Sequence, residues 1–208
     1  DKTGTLTEGK IHLESFENLD NESDPQILLS GLLCSEGFSQ PGHQKLNNPV
    51  DLALWADEKS VSLKKTLTSF KLLESRDFDF ETKKAAVLVE KDGIHQLIVK
   101  GAAENILPFC SKWQKEGRVE VFDEAGQKVI KTTIQNFETN GIRVLALAQK
   151  EEVGNQHPAS AINIKDETGL TLKGFLLFSD PLKKNVRESL HLFKNLGIVI
   201  KILSGDSP

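Results

Sequence analysis

Residues 1–10 read DKTGTLTEGK, with an aspartate in front and Thr3, Gly4 and Thr5 close behind it. Small hydroxyl residues around a glycine predict a tight loop whose backbone and side chains can approach an oxyanion. Ile11, Leu13 and Phe16 then predict a strand leaving that loop. A carboxylate on a loop that follows a parallel strand lies at the carboxyl edge of the sheet, where open α/β folds bind ligands. Asp1 holds that position if a strand precedes it, which makes the first residue the chemically loaded one.

The rest of the composition narrows the function classes. The 208 residues suffice for one large or two small domains, and a net charge of −4 with 27% charged residues implies no polyanion partner and no nucleic acid. No apolar run reaches the roughly 18 to 20 residues needed to span a bilayer. Cys34 and Cys110 are not spaced as ligands, which predicts two reduced core thiols. His12, His43, His95, His157 and His191 are scattered, so none is assigned a metal. The chain lacks an initiator Met and any other Met, which points to a segment of a larger protein.

Periodicity gives the organisation. Ile27, Leu28, Leu32 and Leu33 share a helical face, and Asn48-Pro49 opens a second helix. Residues 70–80, 83–90 and 94–101 read as strands, the last two joined by a Lys91-Asp92-Gly93 turn. Helices are predicted from about Ala102 to Trp113 and from about Asp123 to Glu138, then a strand over 142–150 and a loop over 151–167. Residues 169–180 (GLTLKGFLLFSD) and 198–203 are near-continuous apolar runs flanking an amphipathic helix over 183–196, the pattern of a parallel βαβ unit. The predicted fold class is α/β: a partial parallel sheet made of residues 1–9 and 170–208, interrupted by an α+β domain with an antiparallel sheet over 10–169.

Asp180 in SDPLK and Ser204, Gly205 and Asp206 in SGDSP follow the two apolar strands, so three loops bearing aspartates converge on one sheet edge. With these residues in view, DKTGTLT resembles the phosphorylation motif of P-type ATPases, KGAAE their nucleotide-domain KGAPE motif, SDPLK their DPPR motif and SGDSP their TGDNP motif. The resemblance runs the length of the chain. It implies a haloacid-dehalogenase-like phosphorylation domain interrupted by a nucleotide-binding domain, with ATP and Mg²⁺ as cofactors. Asp1 would accept the γ-phosphoryl group as a covalent nucleophile, with Lys2 and Thr3 beside it in the catalytic loop. Thr3, Gly4, Thr5, Asp180, Ser204, Gly205 and Asp206 would hold phosphate, and Asp1 and Thr3 would hold the Mg²⁺. Phosphatases of the same superfamily usually carry a second Asp where Thr3 stands, and a threonine cannot act as their general acid and base. A phosphatase with a large cap is the alternative reading.

For the nucleotide, FDFETKKAAV resembles the family's adenine-site strand, with Phe78 in the stacking role, Phe80 the competing choice, and Lys83 beside the nucleotide. Lys100 and Gly101 match the floor of the pocket, Asp51 an acidic residue near the adenine and Arg143 an arginine near the phosphates. Ala103 stands for a proline, Lys183 for an arginine and Ser204 for a threonine, and none of these changes removes an essential group. The family's later GDGxND motif, the membrane helices and the actuator domain would lie in the remainder of the pump. The segment is therefore expected to be monomeric, to bind ATP or ADP without turnover, and to face the cytoplasm from a bacterial plasma-membrane protein. The pattern looks more like magnesium transporters and their proton- and calcium-pumping relatives than like heavy-metal pumps.

Overall fold

The computed structural model describes residues 4–40, 46–153 and 164–201, with side chains described through residue 151 in the second segment. Asp1, Lys2, Thr3, Ser204, Gly205 and Asp206 lie outside the described residues, as do His43 and His157. In chain order the elements begin with β1 (His12–Asn18), α1 (Pro25–Leu33), α2 (Glu36–Ser39), α3 (Pro49–Ala56) and α4 (Glu58–Leu67). Three strands follow: β2 (Lys71–Asp79), β3 (Lys84–Lys91) and β4 (Ile94–Ala102). After them come α5 (Ala103–Ile106), β5 (Cys110–Lys115), β6 (Arg118–Val121), α6 (Glu124–Thr139), β7 (Arg143–Val153), β8 (Leu170–Ser179) and α7 (Val186–Asn195).

The strands form one mixed sheet in the order β2-β3-β4-β7-β8-β5-β6, with β1 also on β8. All pairings are antiparallel except β5 with β8. Helices cover both faces. α1, α3 and α4 bury Leu28, Leu32, Leu54 and Leu67 against Val87, Ile98, Leu147 and Phe178. On the opposite face α5 and α6 bury Ile106, Ile130 and Ile134 against Leu97, Val99, Ala146 and Leu177.

The local signals explain most of these elements. The Asp24 carboxylate accepts from the Gln26 N–H and Asn48 from the Val50 N–H, each with proline opening the helix that follows. Asp123 caps α6 through the Gly126 N–H, and the helix ends at Asn140 ahead of Gly141, whose φ is +77°. The β3–β4 hairpin turns on Asp92 and Gly93, both with positive φ.

One expectation is corrected, and another is not met among the described residues. The helix predicted from Ala102 to Trp113 ends at Ile106 in α5, continues as a 3-10 turn over Leu107–Phe109 and gives way to β5. Pro108 has no N–H for a helical ladder, and Cys110 and Trp113 instead enter the core from a strand. The parallel βαβ unit is also not found among the described residues. β8 runs antiparallel to β1 and β7, in the same sheet as the strands of residues 12–153, and residues 198–201 pair with no strand. The apolar run does mark burial on both faces, which is equally the property of a central strand in a mixed sheet.

Gly174 makes this centre possible. A Cβ there would run into the Glu17 carbonyl and meet Ile27 Cδ1 at 2.9 Å and Asn18 Cα at 3.1 Å. Gly174→Ala is expected to destabilise the chain by about 1–3 kcal/mol, as overpacking does. Thermal unfolding followed by circular dichroism reads this as a melting point lowered by several degrees, and an unchanged melting point would contradict the close approach of β1.

Both cysteines are buried and free. Burial raises the Cys34 thiol from 9.0 to about 11, opposed by the Lys100 ammonium, and burial raises Cys110 to about 12. A raised thiol pKa means that the contribution to stability is whole below the unfolded value and is lost as pH rises through the folded one. For Cys34 the window runs from 9.0 to about 11, and the gap corresponds to roughly 3 kcal/mol. The chain contains no tyrosine, so ultraviolet thiolate absorbance can be followed without tyrosinate overlap. The folded chain is expected to show no thiolate at pH 9 while the urea-unfolded chain titrates there; thiolate in both would refute the burial.

Candidate functional site

A cleft opens where the end of α1, α2 and the start of α3 meet the ends of β2, β3 and β4. It is narrow, with a cavity volume of about 20 Å³, and its lining includes Asp51, Arg76, Asp77, Phe78 and Lys100. Three of the residues expected at a nucleotide pocket, Asp51, Phe78 and Lys100, thus come together from segments far apart in sequence.

Asp51 sits in the first turn of α3 and Lys100 near the end of β4, opposite Ala85 on β3. Their side chains form an ion pair at 2.6 Å, and both residues are almost fully buried. The second Asp51 oxygen accepts from the Glu36 N–H at 2.9 Å. Glu36 in turn accepts from the Asn47 N–H at 2.9 Å, fixing the approach to α3. An ion pair so enclosed is stabilised by charge-assisted hydrogen bonds on both sides, and each partner depends on the other.

Phe78 lines the cleft and carries Phe80 beside it. Phe78 is half-buried against the core of the α1/α3 face, whereas Phe80 is 88% exposed in the turn after β2. Their rings meet edge to face with centroids 5.2 Å apart. Asp79 anchors the turn by accepting from the Thr82 N–H, which holds its carboxyl below the usual range.

Lys83, Gly101 and Arg143 do not line the cleft. Lys83, with φ of +52°, reaches Glu104 at 3.7 Å on the surface. Gly101 allows a close approach, but of the chain itself: a Cβ there would stand 2.5 Å from the Lys83 carbonyl oxygen. Arg143 is exposed at the start of β7, opposite Phe178 on β8.

The opening loop is fastened to the segment after β8. Asp180 accepts from the Thr7 hydroxyl at 2.6 Å and from the Gly9 N–H at 2.9 Å. Thr7 and Leu182 form an antiparallel bridge, and the Lys183 ammonium donates to the Gly4 carbonyl at 2.6 Å. Thr7 Oγ1 also accepts from the Gly4 N–H at 3.0 Å. Gly4 and Thr5 are exposed.

The sequence reading passed over Thr7, Gly9, Glu36 and Arg76. Thr7 stands within the quoted motif, but its role depends on a partner 173 positions away. Glu36 and Arg76 belong to no motif; their places follow from the packing of α2 and β2.

A family model described as "P-type ATPase, cytoplasmic domain N" matches residues 25–185. The chain is 33% identical over 208 residues to "Magnesium-transporting ATPase, P-type 1" of Escherichia coli K12, an alignment covering 100% of the chain and 22% of that relative. It is 26% identical over 219 residues to "Calcium-transporting ATPase 1" of Bacillus cereus, covering 99% of the chain and 24% of the relative. A plasma-membrane-type calcium-transporting ATPase 12 of Arabidopsis thaliana is 28% identical over 235 residues, with 100% and 22% covered. The chain thus spans about a fifth to a quarter of the length of these curated relatives. Among the described residues no helix is long and apolar enough to cross a membrane. The match over residues 25–185 shows that the chain belongs to the P-type ATPases and carries their cytoplasmic domain N.

Proposed function

We propose that the chain is the nucleotide-binding and phosphoryl-accepting part of a cation pump, a membrane protein in which ATP hydrolysis proceeds through an aspartyl phosphate on Asp1. The observation that carries the reading is the meeting of Asp51, Lys100 and Phe78 at one cleft, with the Phe80 ring set edge to face on Phe78. The named transport activities of the magnesium- and calcium-transporting relatives support a cation as cargo.

The aromatic pair divides the work. Phe78 is engaged with the core, while Phe80 exposes most of its ring with no packing reason to do so. A purine base stacking on Phe80 would cover that apolar face, and Phe78 would support it from the edge. Lys100 would floor the site while paired with Asp51, so the ammonium brings hydrogen-bond donors rather than net charge.

At the other end, Asp1 would attack the γ-phosphorus, forming the acyl phosphate as ADP leaves. Thr3, Gly4, Thr5, Ser204, Gly205 and Asp206 would hold the phosphate oxygens, with Asp180 supporting the loop. Mg²⁺, held by the hard oxygens of Asp1 and Thr3, would neutralise phosphate charge. The aspartate, glycine and hydroxyl donors of this set suit a Mg²⁺-phosphate pair, and the haloacid-dehalogenase-like sheet belongs to this reading.

ATP titration followed by backbone amide NMR tests the cleft. Saturable shifts are expected in residues 76–101, alike for ATP and ADP, and Phe80→Ala should weaken binding by about 10-fold or more, in line with about 1–3 kcal/mol per stacked base. Phe78→Ala should weaken it less while lowering the melting point. Full binding by Phe80→Ala would move the stacking role to Phe78, and no shifts at millimolar ATP in the folded chain would refute the site.

Lys100→Met leaves Asp51 buried with only the Glu36 N–H as donor. It is expected to cost about 3–5 kcal/mol in urea unfolding. A loss below 1 kcal/mol would show that Asp51 does not depend on its partner.

A further inference from the structure

The cleft as it stands has no room for a nucleotide. A cavity of about 20 Å³ holds a single water, whereas sites for small organic ligands enclose about 300–1,000 Å³. Lys100, at the floor, is 4% exposed. A ligand reaches that floor only if one wall of the cleft moves.

The sheet wall is held on both sides of Phe78. Arg76 is tied to Glu167 on the other face of the sheet, and the Asp79 carboxylate accepts from the Thr82 N–H. The facing wall is α2, which is four residues long and buries none of them. Its start is anchored. The Glu36 N–H donates to Asp51, and the Ser35 hydroxyl accepts from the Trp55 indole at 2.9 Å while donating to the Leu32 carbonyl. Its far end reaches across the cleft, where the Gln40 amide donates to Asp77 at 3.1 Å in an exposed hydrogen bond. Between the two ends Gly37 lies against Trp55, so closely that a Cβ would stand 2.5 Å from the indole. A segment fixed at one end, held by a surface hydrogen bond at the other and buried little between them opens locally at low cost.

We propose that α2 is a latch on the nucleotide cleft, swinging about Ser35 and Glu36 and held shut by the Gln40–Asp77 hydrogen bond. This rests on the nucleotide reading of the cleft and names what controls access to it. Only the open fraction binds, so every contact that holds α2 shut lowers the apparent affinity for nucleotide. Glu36 keeps its bond to Asp51 as the far end swings, so the buried Asp51–Lys100 pair retains its partners while the cleft opens.

The test is ATP binding by the 208-residue chain, by Gln40→Ala, by Asp77→Ala and by the double variant, each labelled with fluorotryptophan and shown to be folded by its amide spectrum. The chain has two tryptophans. Trp55 touches α2, and Trp113 packs into the core on the opposite face of the sheet, so its fluorine signal is an internal control. Gln40→Ala is expected to tighten ATP binding by about 3-fold or more, the value of one surface hydrogen bond. It should add nothing in the Asp77→Ala background, where that bond is already gone. ATP should move the Trp55 signal and leave Trp113 in place, and Gln40→Ala without ATP should carry the Trp55 signal part of the way in the same direction. Unchanged or weaker ATP affinity in Gln40→Ala overturns the latch, as does an equal gain in both backgrounds or a Trp55 signal unmoved at saturating ATP; in each case the nucleotide cleft stands. Absence of binding by the unaltered chain and all three variants overturns the nucleotide reading itself, whereas binding by the variants alone supports both.

Discussion

The fold depends on β8 being buried on both faces. Leu170, Leu172, Phe175 and Leu177 face the α5/α6 layer, Leu176 and Phe178 face the α1/α3/α4 layer, and all are essentially inaccessible to solvent. One edge of the strand pairs with β7, while β1 and β5 divide the other between residues 174–179 and 170–172. A strand in this position must satisfy its backbone through neighbours, because water does not reach it. Four strands are thereby fixed in register, and the two helical layers acquire a common floor. Gly174 permits it, because the β1 backbone passes where a side chain would stand.

The cleft is built on a second constraint, the enclosure of Asp51 and Lys100. Burial of two charges is tolerated because each is the other's partner and the remaining Asp51 oxygen meets a backbone N–H. The pair ties α3 to β4 and so sets the distance between the helical wall and the sheet. It also removes Lys100 as a source of net charge, so attraction for an anion must come from elsewhere. The Arg76, Lys84 and Glu167 cluster lies on the other face of β2 and β3, beside Phe109.

Local chemistry was legible in the sequence wherever one short segment determined it. Asn48-Pro49, Asp123 and Asn140-Gly141 specify helix ends through caps and φ values that depend on neighbours a few residues away. Strand direction was not legible, because hydrophobicity reports how many faces are buried and is silent on which way a neighbour runs. β8 is the instance. Element type is a separate matter after Ala102, where an apolar run fits a helix and a strand equally and Pro108 ends the helical ladder. In the cleft, Asp51, Phe78 and Lys100 could be matched to motifs. Lys83 was matched to the pocket too, but it sits at a left-handed turn position whose side chain leads to Glu104 on the surface. Arg76 and Glu167 are 91 residues apart and meet only through the sheet, so no window along the chain contains the signal.

The loop after Asp1 and the segment after β8 behave mechanically as one piece. Both Asp180 oxygens are engaged by Thr7 and Gly9, and Lys183 is joined to Leu6 through its N–H and to Gly4 through its ammonium. A single carbonyl acceptor suits lysine, whose ammonium needs no planar partner. Displacing the opening loop must therefore either break these hydrogen bonds or carry residues 180–183 with it. Residues 180–183 continue directly from β8, the strand with the least freedom in the sheet. The opening loop is thus anchored to the core through a carboxylate 173 residues from Thr7, and in this geometry Asp180 works first as an anchor for that loop.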